Sequence, residues 1–150
     1  MMTKKRKKYK IALIVFICII AIIQFHSSTN SKKSKIKAIV NNNLDILSES
    51  IKNNDYDKAY KIDGIEEITP YYLSNNEVFI DFYCYRFGLV PSSIYYGFYY
   101  VTNNEPLGFQ ATRVKLEPDG HGWKWREPNG DNYYYIEKIT DYWYYYEAGF

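Results

Sequence analysis

The hydrophobic pattern changes character three times along the chain. Residues 11–23 are 13 uninterrupted apolar side chains, preceded by Lys8, Tyr9 and Lys10 and followed by Gln24, Phe25 and His26. Taken alone, that length belongs to a signal peptide and falls short of the roughly 20 residues that cross a bilayer. Tyr9 and Phe25 suit the membrane interfaces and Lys8 and Lys10 can snorkel, which lengthens the usable segment to about 17 residues. The pattern therefore predicts a transmembrane helix over 11–25, a basic cytoplasmic tail over 1–10, and a C-terminus outside the cell. Secretion after signal cleavage is the alternative. It needs small residues behind the apolar run, where the chain has Phe25-His26-Ser27. A lipoprotein needs a small residue before its cysteine, where Ile17 precedes Cys18.

Residues 26–35 form a polar tether, with no apolar side chain from Ser27 to Lys35. From Ser34 the apolar positions fall at Ile36, Val40, Leu44, Leu47 and Ile51, the spacing of one stripe along an amphipathic helix. Ser34 is its expected N-cap, and Asn53-Asn54 its expected end. A short second turn, capped by Asp55 or Asp57, brings Tyr56, Ala59, Tyr60 and Ile62 to the core. Beyond Gly64 the period becomes two. Strands are predicted over 78–87, 94–101, 110–117, 123–126, 133–139 and 142–150, with 102–108 as a turn. Short loops between sequential strands favour an antiparallel meander. The expected fold is α+β: an N-terminal transmembrane helix, then an amphipathic helix packed on a meander sheet of about five to six strands, with 36–150 as one extracytoplasmic domain. Glu117-Pro-Asp-Gly-His-Gly-Trp123 and Glu127-Pro-Asn-Gly-Asp-Asn-Tyr133 echo each other, and each predicts a type I turn followed by a left-handed glycine.

Composition sharpens this picture. The 150 residues include 18 Tyr, 8 Phe and 3 Trp, and 26 of these 29 rings lie from Tyr56 onward. Such enrichment favours strands. The net charge of +2 hides an asymmetry: six cations precede the apolar run, all 17 acidic residues follow it, and the portion from Ser27 onward carries a charge of −4. That argues against nucleic acid as a partner, because a nucleic-acid binder presents a basic face to phosphate. Cys18 and Cys84 fall in different phases and are not expected to pair.

Candidate chemistry is sparse. No nucleophile-elbow, HExxH, P-loop or dinucleotide pattern occurs. His121 is the sole histidine of the outer domain and makes no zinc set of usual type. Asp119, Glu127, Asn129 and Asp131 supply oxygens on neighbouring turns, without calcium-loop spacing. No catalytic residue, metal or cofactor is assigned. Asp81 stands out, since it interrupts an apolar strand and requires a partner such as Arg86 or Arg113. Because neighbours in a strand point to opposite faces, the tyrosine runs cannot all enter one core. A binding face is expected at Tyr95, Tyr99, Trp123, Trp125, Tyr134, Trp143 and Tyr145; the alternative is that one set of rings packs beneath the helix while the others cross-pair along the sheet.

The segments Phe87-Gly-Leu-Val-Pro-Ser-Ser-Ile-Tyr-Tyr-Gly-Phe-Tyr-Tyr100, Pro106-Leu-Gly-Phe-Gln110, Gly122-Trp-Lys-Trp125, Gly130-Asp-Asn-Tyr133 and Trp143-Tyr-Tyr-Tyr146 carry a resemblance. With them the chain resembles an uncharacterised group of small membrane-anchored or exported proteins of Gram-positive bacteria. The resemblance implies location and lineage; it implies no activity and no site residues. The order of helix then sheet is also loosely similar in shape to cystatin and nuclear-transport-factor-like folds. The expected function is a membrane-anchored, non-enzymatic interaction module, attached to the membrane through 11–25, with a protein or cell-wall partner and a role in immunity or envelope maintenance. A small envelope hydrolase using dispersed carboxylates is the alternative.

Overall fold

Helix α1 runs without interruption over Lys4–Asn42 and α2 over Leu44–Asn53. The computed structural model describes residues 4–89 and 92–150. Residues 1–3 of the basic tail and Val90-Pro91 of the quoted motif lie outside the described residues, as do the side chains of Lys8, Lys10 and Phe25. The chain divides into two units, residues 1–34 and 35–150.

In the first unit the backbone is helical from Lys4, and the tether expected over 26–35 is helical as well. Among the described residues no helix is long and apolar enough to cross a membrane. This overturns the transmembrane helix expected over 11–25, and the reason is length. Thirteen apolar residues rise only about 20 Å in a helix, against a hydrocarbon layer of about 30 Å. Extending the segment at either end brings in lysines on one side and Gln24, His26 and serines on the other. Side chains within the run, Ile11, Leu13 and Phe16 among them, are exposed.

The second unit holds the α+β core. The expected stripe is present: Ile36, Val40 and Leu47 are fully buried, with Leu44 and Ile51 packed beside them. Ser34 is no N-cap, since α1 runs through it. The break falls instead at Asn43, whose side-chain Nδ2 donates to the Ile39 carbonyl at 2.8 Å, an example of Asn competing with the helix ladder. The α2 end lies where the sequence placed it, with Asn54 left-handed at φ +51 and its N–H returned to the last turn. A 3-10 turn at Ala59–Lys61 buries Ala59.

Among the described residues seven strands follow, all antiparallel: β1 Glu67–Tyr72, β2 Val78–Leu89, β3 Ser92–Val101, β4 Glu117–Asp119, β5 Gly122–Arg126, β6 Tyr133–Thr140 and β7 Trp143–Gly149. Their order is β1-β2-β3-β7-β6-β5-β4. The sheet is thus two meanders joined where β3 pairs with β7, and both the single meander and the count of five to six strands are corrected. The extra strand, β1, was masked by Pro70. Proline is tolerated there because β1 is an edge strand, where one face of the ladder needs no donor. The segment expected as a strand over 110–117 is mostly irregular, and only its last residue enters β4.

That irregular connection, from β3 to the far edge strand β4, explains how so many rings are housed. One sheet face packs Phe82, Cys84, Phe98, Trp143 and Tyr145 against the residues of α1 and α2. The other packs Phe79, Tyr99, Tyr144 and Tyr146 beneath Leu107, Phe109 and Ala111 of the connection. The Tyr99 hydroxyl donates to the Leu107 carbonyl at 3.1 Å and accepts from its N–H at 3.0 Å, pinning the connection to the sheet. Alternating side chains therefore enter two cores. On the helix side Lys37 pairs with the buried Glu137, which also accepts the Tyr135 hydroxyl at 2.9 Å.

Of the two echoed turns, Gly120 adopts the expected left-handed conformation at φ +60, whereas Gly130 is not left-handed. Gly97 in β3 is closely enclosed on the cleft side of the sheet. A methyl group there would lie 2.4 Å from the Phe82 carbonyl oxygen and 2.6 Å from the Tyr146 hydroxyl. Gly97→Ala is expected to lose about 1–3 kcal/mol by overpacking, read as a lower urea midpoint of the full-length chain.

Candidate functional site

On the face covered by the connection, the sheet leaves a cleft of about 350 Å³. Strand β1 supplies Glu67, Thr69 and Tyr71, β2 supplies Asp81, Tyr83 and Arg86, β3 supplies Tyr95, β7 supplies Tyr146, and the connection closes it with Phe109 and Gln110. Register explains the grouping. Thr69 lies opposite Asp81, and Asp81 opposite Tyr99 in β3. A bulge between Tyr83 and Tyr85 shifts β2 by one residue, so that Arg86 joins Tyr83 and Asp81 on this face.

Asp81 is the floor of the cleft. It is 6 % exposed, and its Oδ1 is buried with no hydrogen-bond partner. Among the described residues it forms no ion pair with Arg86 or Arg113, the partners expected from sequence; Arg113 pairs with Glu77 instead. The bulge carries Arg86 to the exposed mouth. Burial raises the Asp81 pKa from 3.8 to about 7, the neighbouring Tyr146 hydroxyl opposes that rise, and Glu67 adds to it. The Tyr146 hydroxyl is itself buried without a hydrogen-bond partner, and burial next to Asp81 drives its pKa well upward. The two groups thus interact with each other without forming a well-aligned hydrogen bond, in a place where each would ordinarily be fully paired.

The walls are aromatic. Tyr95 lies 6.1 Å from Tyr83 and 5.9 Å from Phe109, centroid to centroid. The closing residue Gln110 is left-handed at φ +52, and so is Ala111 at φ +62. Two consecutive non-glycine residues in this region store strain of order 1–3 kcal/mol each, a feature that clusters at binding sites.

The seven aromatics expected to form a binding face separate. Tyr99, Tyr134, Trp143 and Tyr145 are buried, which corrects the expectation for those four. Trp143 sits among Phe82, Phe98 and Tyr100 on the helix side, and Tyr145 lies in that same core. Tyr99 stacks on Phe79 at 4.5 Å and Tyr144 at 5.2 Å. Trp125 stacks on Tyr134 at 4.8 Å, and Trp123 lies by Tyr144; both are half-buried. Tyr95 alone of the seven lines the cleft.

Other candidates contribute less. His121 is exposed in its turn, and no group of His, Cys, Asp and Glu among the described residues is arranged to hold a metal. Cys18 and Cys84 are both free; burial pushes the Cys84 thiol up, away from the nucleophilic thiolate. A wider groove of about 420 Å³ beside α2, lined by Leu44, Lys52, Tyr100 and Tyr142, contains no buried unpartnered polar atom. Thr69, Tyr71 and Phe109 were not singled out from sequence. Strand β1 was unread and the covering connection was expected as a turn over 102–108 and a strand over 110–117, so the polar interruption at Asp81 was the main signal of the site. In comparisons with known proteins, no family model, no curated protein and no solved structure matches the chain.

Proposed function

We propose that this chain is a non-enzymatic binding module whose recognition site is the cleft over Asp81. The observation that carries the reading is a buried carboxylate oxygen without a partner at the base of an aromatic-walled cleft. Leaving such a group unsatisfied costs about 1–3 kcal/mol, and the strained Gln110–Ala111 pair adds to that burden in the same place. A bound ligand relieves the first and gives a reason for the second. Recognition then belongs to one end of the aromatic face, with Tyr95 in the wall, and Trp123 and Trp125 outside it. Six cations ahead of an apolar run are the order of an export signal. On that ground we place the module outside the cytoplasm, as an exported immunity or envelope accessory protein. The charge of −4 from Ser27 onward favours a partner other than nucleic acid.

A fragment library screened by ligand-observed NMR against the full-length chain tests this reading. Bound fragments are expected to weaken at least about tenfold in Tyr95→Ala and to bind Trp125→Ala as they bind the wild type. Fragments indifferent to Tyr95→Ala would place recognition elsewhere.

One observation favours a second reading. Asp81, with a pKa near 7, shares its sheet face with Glu67, one step diagonally across the β1–β2 ladder. A carboxyl group poised near neutrality beside a second one is the pairing used in glycoside hydrolysis. Turnover of an envelope saccharide, lost in both Asp81→Asn and Glu67→Gln, would establish the hydrolase over the binder.

A further inference from the structure

We propose that the ligand presents a protonated primary amine, seated between Asp81 Oδ1 and the Tyr146 hydroxyl, with its carbon chain lying along Tyr83, Tyr95 and Phe109. This rests on the cleft being the recognition site and adds the chemistry of what enters it. The buried Oδ1 and the adjacent Tyr146 hydroxyl interact with each other, but neither makes a well-aligned hydrogen bond. A primary ammonium carries three N–H donors and satisfies both oxygens at once; a neutral hydroxyl has one donor and brings no charge to balance a carboxylate.

The charges around the cleft agree. Glu67 from β1 reinforces Asp81, while Arg86 from β2 stands at the exposed mouth. A cation reaching the floor is therefore drawn by two carboxyl groups, and the outer end of the ligand meets a guanidinium. That selects a monoamine with a neutral or anionic far end over a diamine.

The titration follows the same geometry. Asp81 must be ionised to pair with the ammonium, and the groups facing it are Glu67 and Tyr71 of β1, Tyr83 and Arg86 of β2, Tyr95 and Tyr99 of β3 and Tyr146 of β7. Affinity for the amine is expected to rise with pH through about 7 and to hold until the amine itself loses its proton.

The test is an NMR titration of the full-length chain near pH 8 with four probes: n-butylammonium, n-butanol, tetramethylammonium and N-acetylglucosamine. n-Butylammonium is expected to shift the amides of Asp81 and Gln110 at millimolar concentration and to bind at least about tenfold more tightly than n-butanol. Tetramethylammonium, without an N–H, is expected to bind more weakly than n-butylammonium. Asp81→Asn is expected to remove at least about tenfold of the affinity for n-butylammonium. Should that variant fail to fold, Tyr146→Phe reads the same contact and is expected to lose several-fold. Equal binding of n-butanol and n-butylammonium, or unchanged affinity in the variant that folds, would overturn the proposal. Binding of N-acetylglucosamine alone would overturn the amine and leave the cleft as the recognition site. If none of the four probes moves a cleft signal, both readings fall.

Discussion

Asp81→Asn is expected to stabilise the full-length chain near pH 8 and to leave its stability almost unchanged near pH 4. The sign follows from burial. The Asp81 pKa is about 7 in the folded chain against 3.8 for an ordinary carboxyl, so between those values the native state holds a proton that the unfolded state has released. Stability is therefore fully present below about pH 4 and falls as pH rises to about 7. The whole displacement amounts to about 4 kcal/mol. Asparagine keeps the shape of the protonated acid and cannot ionise, and the Oδ1 of Asp81 makes no well-aligned hydrogen bond that the substitution would remove. A gain of about 2–4 kcal/mol is expected at the higher pH, shrinking toward zero at the lower. Urea unfolding at both pH values measures it. An equal effect at the two values would mean that Asp81 is not held in its neutral form. A stabilising substitution at a proposed binding residue is the usual trade of stability for function.

Trp143→Ala is expected to cost about 3–5 kcal/mol, and Trp125→Ala much less. Both were expected on one binding face, but they occupy different environments. Trp143 is 3 % exposed among Phe82, Phe98 and Tyr100, in the core that packs on α1 and α2. Its removal leaves a cavity that β3 and β7, hydrogen-bonded on both flanks, cannot collapse to fill. Trp125 lies half-buried in β5 near the sheet edge, stacked on Tyr134, and its loss leaves a void open to water. Thermal unfolding of the two variants separates them. Comparable losses would mean that the outer end of the second face is as closely packed as the helix side.

How far these features could be read from sequence depended on whether the signal was local. The α2 stripe and its end at Asn54 were legible, because helical period and a left-handed asparagine are properties of a few neighbouring residues. Strands β2, β3, β5, β6 and β7 were legible for the same reason. The β3–β7 pairing was not, since it joins residues about fifty positions apart and no short-range pattern encodes it. Nor was the covering role of residues 102–116: Leu107, Phe109 and Ala111 alternate like a strand, yet they serve as a lid over the second sheet face. Missing that lid turned buried rings such as Tyr99 and Tyr134 into an expected binding surface. Asp81 was recognisable as a polar interruption, while its missing partner was not, because a single bulge in β2 decides where Arg86 points. The apolar run at 11–23 was overextended by borrowing flanking residues that are not apolar.

The central claim is that Asp81 is a buried carboxyl group kept unpaired for a ligand. Carboxyl carbon-13 titration of Asp81 in the full-length chain, without and with n-butylammonium, tests it most directly. The account predicts a midpoint near 7 in the free protein and a clear fall when the amine is present. A midpoint in the ordinary carboxylate range, unmoved by the amine, would contradict it.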